Sequence, residues 1–405
     1  MKHINTSPLK IVDNTFVLVI CGLISLVSIA YCIWSGNQIN WPDESEYIGI
    51  AKRLVAGLGF TNGKLELSAL RPPGYPFYLS LIYHIHASVL LAKITNVVAL
   101  TATAWIISLI VKSITPLGQV FAPLLVLAYP LFIYLTGMLV PQILGSFLFV
   151  LVVYWLIQYP KSILYAALTG ATLGALILTI PTFALIFICL IVLLFIINST
   201  TGFYSKKFIL FFFVATVLVV GPWIVRSSLL FDKFVFISTN SGINLLYGNS
   251  EHTEYDTGVV DVSKYSNITG MNEAEVDSYY KKAAIDWVKN NPGDAAILYL
   301  KKVANNFNYK NKLGTVSESS TLKNTILFIT YYPLLVTALI RCLLWRKYAF
   351  SWPEVLMYAL YFGSAFISAI VYTRIRYRIP FDFLLIAMVS IFIGYIRQNK
   401  LKVNQ

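Results

Sequence analysis

The sequence predicts an all-α polytopic membrane protein. The expected architecture is a bundle of about ten transmembrane helices, with amphipathic surface helices in the first outer connection and a small helical region in a second. Three observations predict it. First, 58% of the 405 residues are hydrophobic and only 12% charged, against roughly 45–50% and 25% in soluble domains. Such a surplus, with a mean hydropathy of +0.72, exceeds what a water-exposed sphere can bury and excludes a soluble enzyme. Second, the apolar residues fall in runs of about 20, the length that crosses a bilayer. Third, the basic residues gather on alternate connections between those runs.

The runs lie near 15–34, 88–110, 117–136, 139–158, 162–180, 182–198, 207–226, 323–344, 353–372 and 379–396. The fifth and sixth meet at Pro181, where one span or two can be read. With ten spans both termini share a side. That side collects Lys2, Lys10, Lys112, Lys161, Lys206, Lys207, Arg341, Arg346, Lys347, Arg397, Lys400 and Lys402, offset only by Asp13 and Glu354. An excess of Lys and Arg marks the cytoplasmic side. Both termini are therefore expected in the cytoplasm of a multi-pass protein of the cell's inner (plasma) membrane, with segments 35–86 and 227–322 outside. The net charge of +13 is then a topology signal and not a nucleic-acid footprint. The division this implies is an N-terminal transmembrane core over 1–226 that carries the outer segment 35–86. An outer loop region over 227–322 and C-terminal transmembrane helices over 323–405 follow.

Within the first outer segment, Tyr47, Ile50, Ala51, Leu54, Val55 and Leu58 recur at helical spacing, with Glu46, Lys52 and Arg53 opposite. That pattern is an amphipathic helix suited to the membrane surface, stopped by Gly57 and Gly59. Arg71-Pro-Pro-Gly-Tyr-Pro76 then breaks the chain. In the second outer segment, a helix near 272–290 opens on Asn272 with Glu275 three residues on and stops at Asn291-Pro292. A further helix, 294–307, places Ala296, Ile297, Leu300, Val303, Ala304 and Phe307 on one face. The four cysteines all sit in apolar stretches and read as small core residues. His84 and His86, two apart on a helix, do not share a face, which argues against a metal pair. No acidic residue occurs between Glu66 and Asp232. Ion-coupled transporters use intramembrane carboxylates, so their lack across whole spans weighs against that class.

Two features are suited to chemistry. Asp43 and Glu44 directly follow the first span. Asp43 reads as an N-cap, with Glu46 three residues later completing a capping box. The less favoured reading on spacing alone is a general base or a ligand for a divalent metal ion beside the bilayer. The second feature is Arg374-Ile-Arg376-Tyr-Arg378-Ile-Pro380, a short outer loop whose three arginines run against the charge bias. Arginine's planar fork suits phosphate; snorkelling to lipid headgroups is the alternative. Arg71 and Arg226 add positive charge on the same side, and together these arginines lead us to expect an outer-face anion site.

Several segments together resemble the GT-C glycosyltransferase superfamily, especially bacterial members related to protein O-mannosyltransferases and the lipid A aminoarabinose transferase. They are Trp41-Pro-Asp-Glu-Ser-Glu-Tyr47, Ala51-Lys-Arg-Leu54 with Gly57, and Arg71-Pro-Pro-Gly-Tyr-Pro76. Further on come Pro222-Trp223-Ile-Val-Arg226, the stretch Ser238 to Asn249, Trp287 to Pro292 with Lys301 and Lys302, and Arg376-Tyr-Arg378-Ile-Pro380. The matches keep the superfamily's order over most of the chain. The resemblance implies a GT-C-like bundle and an inverting glycosyltransferase. Such an enzyme moves a sugar from a polyprenyl-phosphate-linked donor to a glycan, lipid or protein acceptor at the outer face. It implies Asp43 as the catalytic base or metal-linked acid with Glu44 as its neighbour. Arg376 and Arg378 would hold the lipid phosphate, aided by Arg71, Arg226 and Arg374. The chain departs from the pattern at Val140-Pro-Gln142, where many members carry an acid, and at Ile180-Pro181, where many carry Arg-Pro. Those departures leave the metal ion and the sugar open. The alternative functions are a lipid-linked saccharide flippase or exporter and a non-catalytic polyprenyl-lipid-binding protein.

Overall fold

The computed structural model describes residues 14–256, 260–310 and 320–403. Lys2, Lys10 and Asp13 of the charge argument lie outside them. The described residues form sixteen α-helices and no β-strand beyond one isolated bridge, Thr61 with Leu67. In chain order the helices are α1 (Asn14–Ser35), α2 (Pro42–Val55), α3 (Gly74–Ile85), α4 (Val89–Ile114), α5 (Phe121–Leu127), α6 (Pro130–Thr136), α7 (Gln142–Gln158) and α8 (Ile163–Thr179). They continue as α9 (Phe183–Thr201), α10 (Lys206–Phe231), α11 (Ser241–Gly248), α12 (Glu273–Asn290), α13 (Pro292–Asn305), α14 (Thr321–Leu343), α15 (Trp352–Ser368) and α16 (Ile375–Val403).

The chain is a polytopic membrane protein. Among the described residues α1, α4, α9, α10, α14 and α16 are long and apolar enough to cross a membrane. The expected third span is broken: Pro130 begins α6, which bends 59° away from the helical stretch before it. Proline removes a backbone donor and restricts the residue before it, so the run cannot continue straight. The pair counts as a seventh crossing if taken as one. The helices α7, α8 and α15 match three more expected spans but reach only 17 residues each. At Pro181 two helices meet, α8 ending at Thr179 and α9 starting at Phe183.

The bundle is organised around α16, 83% of whose most apolar stretch is buried. It packs on α4, α5, α7, α14 and α15. The closest pair is α8 with α10, where Gly170 and Gly174 let backbones meet. A Cβ at Gly170 would stand 2.2 Å from the Phe212 carbonyl, and one at Gly174 would stand 2.7 Å from Val219 Cβ. Small residues four apart are the usual means of such an approach in membranes.

The two long connections fold over one end of the bundle and are tied to each other. Glu273, at the start of α12, accepts from Ser68 Oγ at 2.7 Å, Ala69 N–H at 2.9 Å and Thr239 Oγ1 at 3.1 Å. Helix α12 forms as expected, with Asn272 and Glu275 capping it reciprocally. Helix α13 forms too. Its apolar face points outward, with Ile297 and Leu300 54% and 63% exposed, while Lys302 and Asn305 are buried. Lys302 Nζ donates to the carbonyls of Gly248 and Val371, both at 2.9 Å, and to Asn249 Oδ1 at 3.2 Å. This buried ammonium pins the loop region to the segment leading into α16.

Candidate active site

Where α1 ends, Lys93 of α4 donates to Gly36 O at 2.8 Å and Gln38 O at 3.0 Å. These are carbonyls at the negative end of a helix, which a cation satisfies. The chain then turns into α2, and here the capping expectation needs correcting. The N-cap is Trp41, Pro42 takes the first helical position, and Glu44, not Glu46, closes the cap. Glu44 is fully buried. Its carboxylate accepts from Asn40 N–H at 2.9 Å, Trp41 N–H at 3.0 Å and, across the fold, Leu139 N–H at 2.8 Å. Glu44 is thus spent on holding the start of α2, which leaves the carboxylate of Asp43 free of any capping role.

Asp43 instead sits between two guanidiniums from distant parts of the chain. Arg71, held by the Pro-Pro-Gly turn before α3, approaches Oδ1 at 2.8 Å. Arg376, in the first turn of α16, approaches Oδ2 at 3.0 Å. Arg71 also pairs through Nε with Glu46 and lies over the Tyr47 ring at 5.6 Å. Burial opposes the charge on Asp43, but the arginines beside it prevail and hold its carboxyl below the ordinary value. Arg71 is held more strongly protonated than usual, chiefly by Glu46, Tyr47 and Asp43 acting against burial. Burial pushes the Tyr47 hydroxyl up to about 12.

Arg376 continues a chain of hydrogen bonds. Its second terminal nitrogen donates to Tyr377 Oη at 3.3 Å, Tyr377 donates to Tyr372 Oη at 3.0 Å, and Tyr372 donates to Asn244 Oδ1 at 3.2 Å. Its Nε is buried with no hydrogen-bond partner among the described residues. An unmade charge-assisted bond at a buried donor is costly and marks a place for an acceptor.

Two cavities meet at the Asp43–Arg376 pair, which lines both. One, of about 220 Å³, is the more polar of the two and carries Tyr47, Arg71, Thr182, Asn240, Asn244, Tyr372 and Tyr377 beside Pro72, Ile180, Pro181 and Val371. The other, of about 310 Å³, is an apolar groove running past Trp41, Leu131, Leu135, Met138, Leu327 and Ile379, with Lys323 on its wall. Val140 and Gln142 are shared by both. The broken span makes room for the groove, since α6 supplies Pro130, Leu131, Tyr134 and Leu135.

The other expected site residues stand elsewhere. The helix begins at Ile375 and not at 379, so Arg376 and Arg378 are two apart on a helix and point to different faces. Arg378 is 1% exposed. It donates to Asp382 at 2.9 Å and to the carbonyls of Asn306 and Asn308, both at 2.7 Å, and lies 3.6 Å from the centre of the Tyr331 ring. It lines neither cavity. Arg226 stacks on Trp223 at 4.7 Å and donates to Ser68 O at 2.6 Å, bracing the first connection. Arg374 lies 5.7 Å from the Tyr372 ring centre and is not on the wall of the polar cavity.

The donor set does not fit a divalent cation. Both oxygens of Asp43 face arginines, no second carboxylate lines either cavity, and no cluster of three His, Cys, Asp or Glu exists among the described residues. His84 and His86 are exposed. Sequence reasoning did not name Gln142, Asn240, Asn244, Tyr372 and Tyr377 as site residues, although all but Tyr372 lie in segments it quoted. It quoted Val140-Pro-Gln142 and Ile180-Pro181 only as departures, and both segments line the polar cavity.

No protein-family model matches the chain, and no curated protein matches it. Among solved structures the chain is similar to ArnT from Cupriavidus metallidurans bound to undecaprenyl phosphate. The identity is 12%, the TM-score 0.48, and the alignment covers 94% of this chain and 78% of that one. The apo state of the same protein aligns with 12% identity and a TM-score of 0.46, over 93% of this chain and 76% of that one.

Proposed function

We propose that this protein is a membrane glycosyltransferase. It moves a sugar from a polyprenyl-phosphate-linked donor to an acceptor at the outer face of the cytoplasmic membrane, with both termini in the cytoplasm. The observation that carries the proposal is the Asp43 carboxylate held between Arg71 and Arg376 where a polar cavity joins an apolar groove. A polyprenyl-phosphate sugar has the same three parts in the same order: an apolar tail, an anion and a polyhydroxylated ring. The tail suits the groove. The phosphate suits the junction, where Arg376 Nε lacks an acceptor. The ring suits the polar cavity. The motif resemblance to GT-C glycosyltransferases supports the same reading.

In this mechanism the acceptor hydroxyl oxygen attacks the anomeric carbon from the side opposite the phosphate. The anomeric C–O bond breaks, and its electron pair stays on the phosphate oxygen, which Arg376 and Arg71 stabilise. The hydroxyl proton passes to Asp43. In-line displacement inverts the anomeric centre. A carboxylate pinned by two guanidiniums is a weak base. A phosphate taken up at Arg376 Nε shares that guanidinium's charge and so raises the basicity of Asp43 while both ion pairs stay in place.

The test is to incubate the purified protein with polyprenyl-phosphate sugars and candidate acceptors in lipid vesicles. Release of polyprenyl phosphate together with a glycosylated product supports the proposal. Movement of the donor between leaflets without release, or binding without turnover, overturns it in favour of a flippase or a lipid-binding protein.

A further inference from the structure

Resting on that reading, we propose that the polar cavity accepts an uncharged monosaccharide and discriminates against both cationic amino sugars and uronic acids. The chemistry of the wall argues for it. Among the described residues, apart from Asp43, Arg71 and Arg376 the cavity is lined by no ionisable group other than tyrosine hydroxyls. Both oxygens of Asp43 face guanidiniums. The neighbouring acids are turned away. Glu46 pairs with Arg71 and does not line the cavity. Asp277 accepts from Ser241 Oγ and from the Gly242 backbone N–H behind the wall. A buried ammonium needs an anionic partner, and the wall offers none that is unengaged.

An anionic sugar meets the opposite difficulty. Arg71 spends Nε on Glu46 and a terminal nitrogen on Asp43, while Arg376 has bonds to Asp43 and Tyr377. The buried donor left over is Arg376 Nε, and the lipid phosphate claims it. A uronate would compete with the phosphate and with Asp43 for the same two cations.

What remains suits hydroxyl groups, each of which donates once and accepts twice. Gln142, Asn240 and Asn244 bring side-chain amides, Ser238 and Thr182 hydroxyls, and Tyr47 and Tyr372 aromatic rings. The volume of about 220 Å³ lies below the roughly 300–1,000 Å³ of pockets for drug-sized ligands. That scale is one ring, not an oligosaccharide.

The experiment uses the full-length protein in vesicles and three sets of synthetic donors on one polyprenyl phosphate. The sets are neutral hexoses of the gluco, manno and galacto series, a 4-amino-4-deoxy pyranose and a hexuronate. Affinity is read by displacement of a fluorescent polyprenyl phosphate, so no turnover is needed. The best neutral donor should bind at least about tenfold more tightly than either charged donor, a preference of the size one unpaired charge produces. Asn244→Asp puts a carboxylate into the wall and keeps an acceptor for Tyr372. It should raise affinity for the amino sugar relative to the neutral donor by about tenfold. Equal binding of the three sets, tighter binding of a charged sugar, or an unchanged ratio in Asn244→Asp overturns the inference. Discrimination in binding with no release of polyprenyl phosphate leaves this inference standing and sinks the transferase reading instead.

Discussion

Arg376 and Asp43, 333 positions apart, form an ion pair at 3.0 Å on the wall shared by the polar cavity and the apolar groove. Two rigid supports hold it. Lys93 holds the backbone at Gly36 and Gln38, Glu44 holds it at Asn40 and Trp41, and α16 carries Arg376 out of the most buried helix of the bundle. The pair is therefore placed by the whole fold and not by a mobile loop.

Arg376 and Arg378 should respond differently to substitution, although they are two residues apart. Arg376→Lys removes the free Nε donor but keeps the charge. Loss of a hydrogen bond to a charged group costs about 1.5–3 kcal/mol, so KM for the donor should rise roughly ten- to hundredfold with little change in Tm. Arg378→Met strands the Asp382 carboxylate in the core. Breaking a buried pair in this way costs about 3–5 kcal/mol and should lower Tm and yield. Thermal unfolding in detergent beside a donor titration separates the two. Equal loss of Tm in both variants contradicts the assignment.

The pH profile should report the arginines around Asp43. Its folded pKa lies below the ordinary 3.8. The stability its charge contributes is thus present above 3.8 and lost as pH falls through the folded value. Arg71→Gln removes one of the two cations and lets the folded pKa rise. The acid limb of kcat/KM should move to higher pH in this variant. An unmoved limb would mean that Asp43 does not titrate in the free enzyme.

The turn carrying Arg71 depends on Gly74. A Cβ there would stand 2.4 Å from Thr179 Oγ1 and 2.8 Å from Thr179 N. Gly74→Ala forces α3 away from α8, an overpacking that costs about 1–3 kcal/mol, and should lower both Tm and turnover. Gly22→Ala is the control, since nothing lies within 4 Å of its Cβ. A Gly74→Ala protein as stable and active as the control would contradict the packing.

Much of this was legible in the chain because its signals are local. The apolar runs locate the helices, Asn272 with Glu275 opens α12, and Gly57, at φ +75°, marks the end of α2. Other features depend on distant partners. Nothing near Asp43 announces Arg376, and nothing near Lys302 announces the carbonyls of Gly248 and Val371. The apolar pattern of α13 does not show which side faces the fold; the backbone carbonyls beneath the helix need donors, which Lys302 supplies. Averaging hydropathy hid the break before Pro130, although the proline itself was in view. The loop reading of Arg374 to Pro380 failed for a geometric reason. Once the segment is helical, alternate arginines cannot face one ligand.

The most direct measurement is turnover of Asp43→Asn beside the unaltered protein in vesicles, with polyprenyl-phosphate sugar as donor. The account predicts release of polyprenyl phosphate and an inverted glycoside by the unaltered protein. Asp43→Asn, still folded and still binding donor, should be slower by about 10²–10⁴, the range general-base catalysis contributes. A folded Asp43→Asn protein that transfers sugar at the unaltered rate would contradict it.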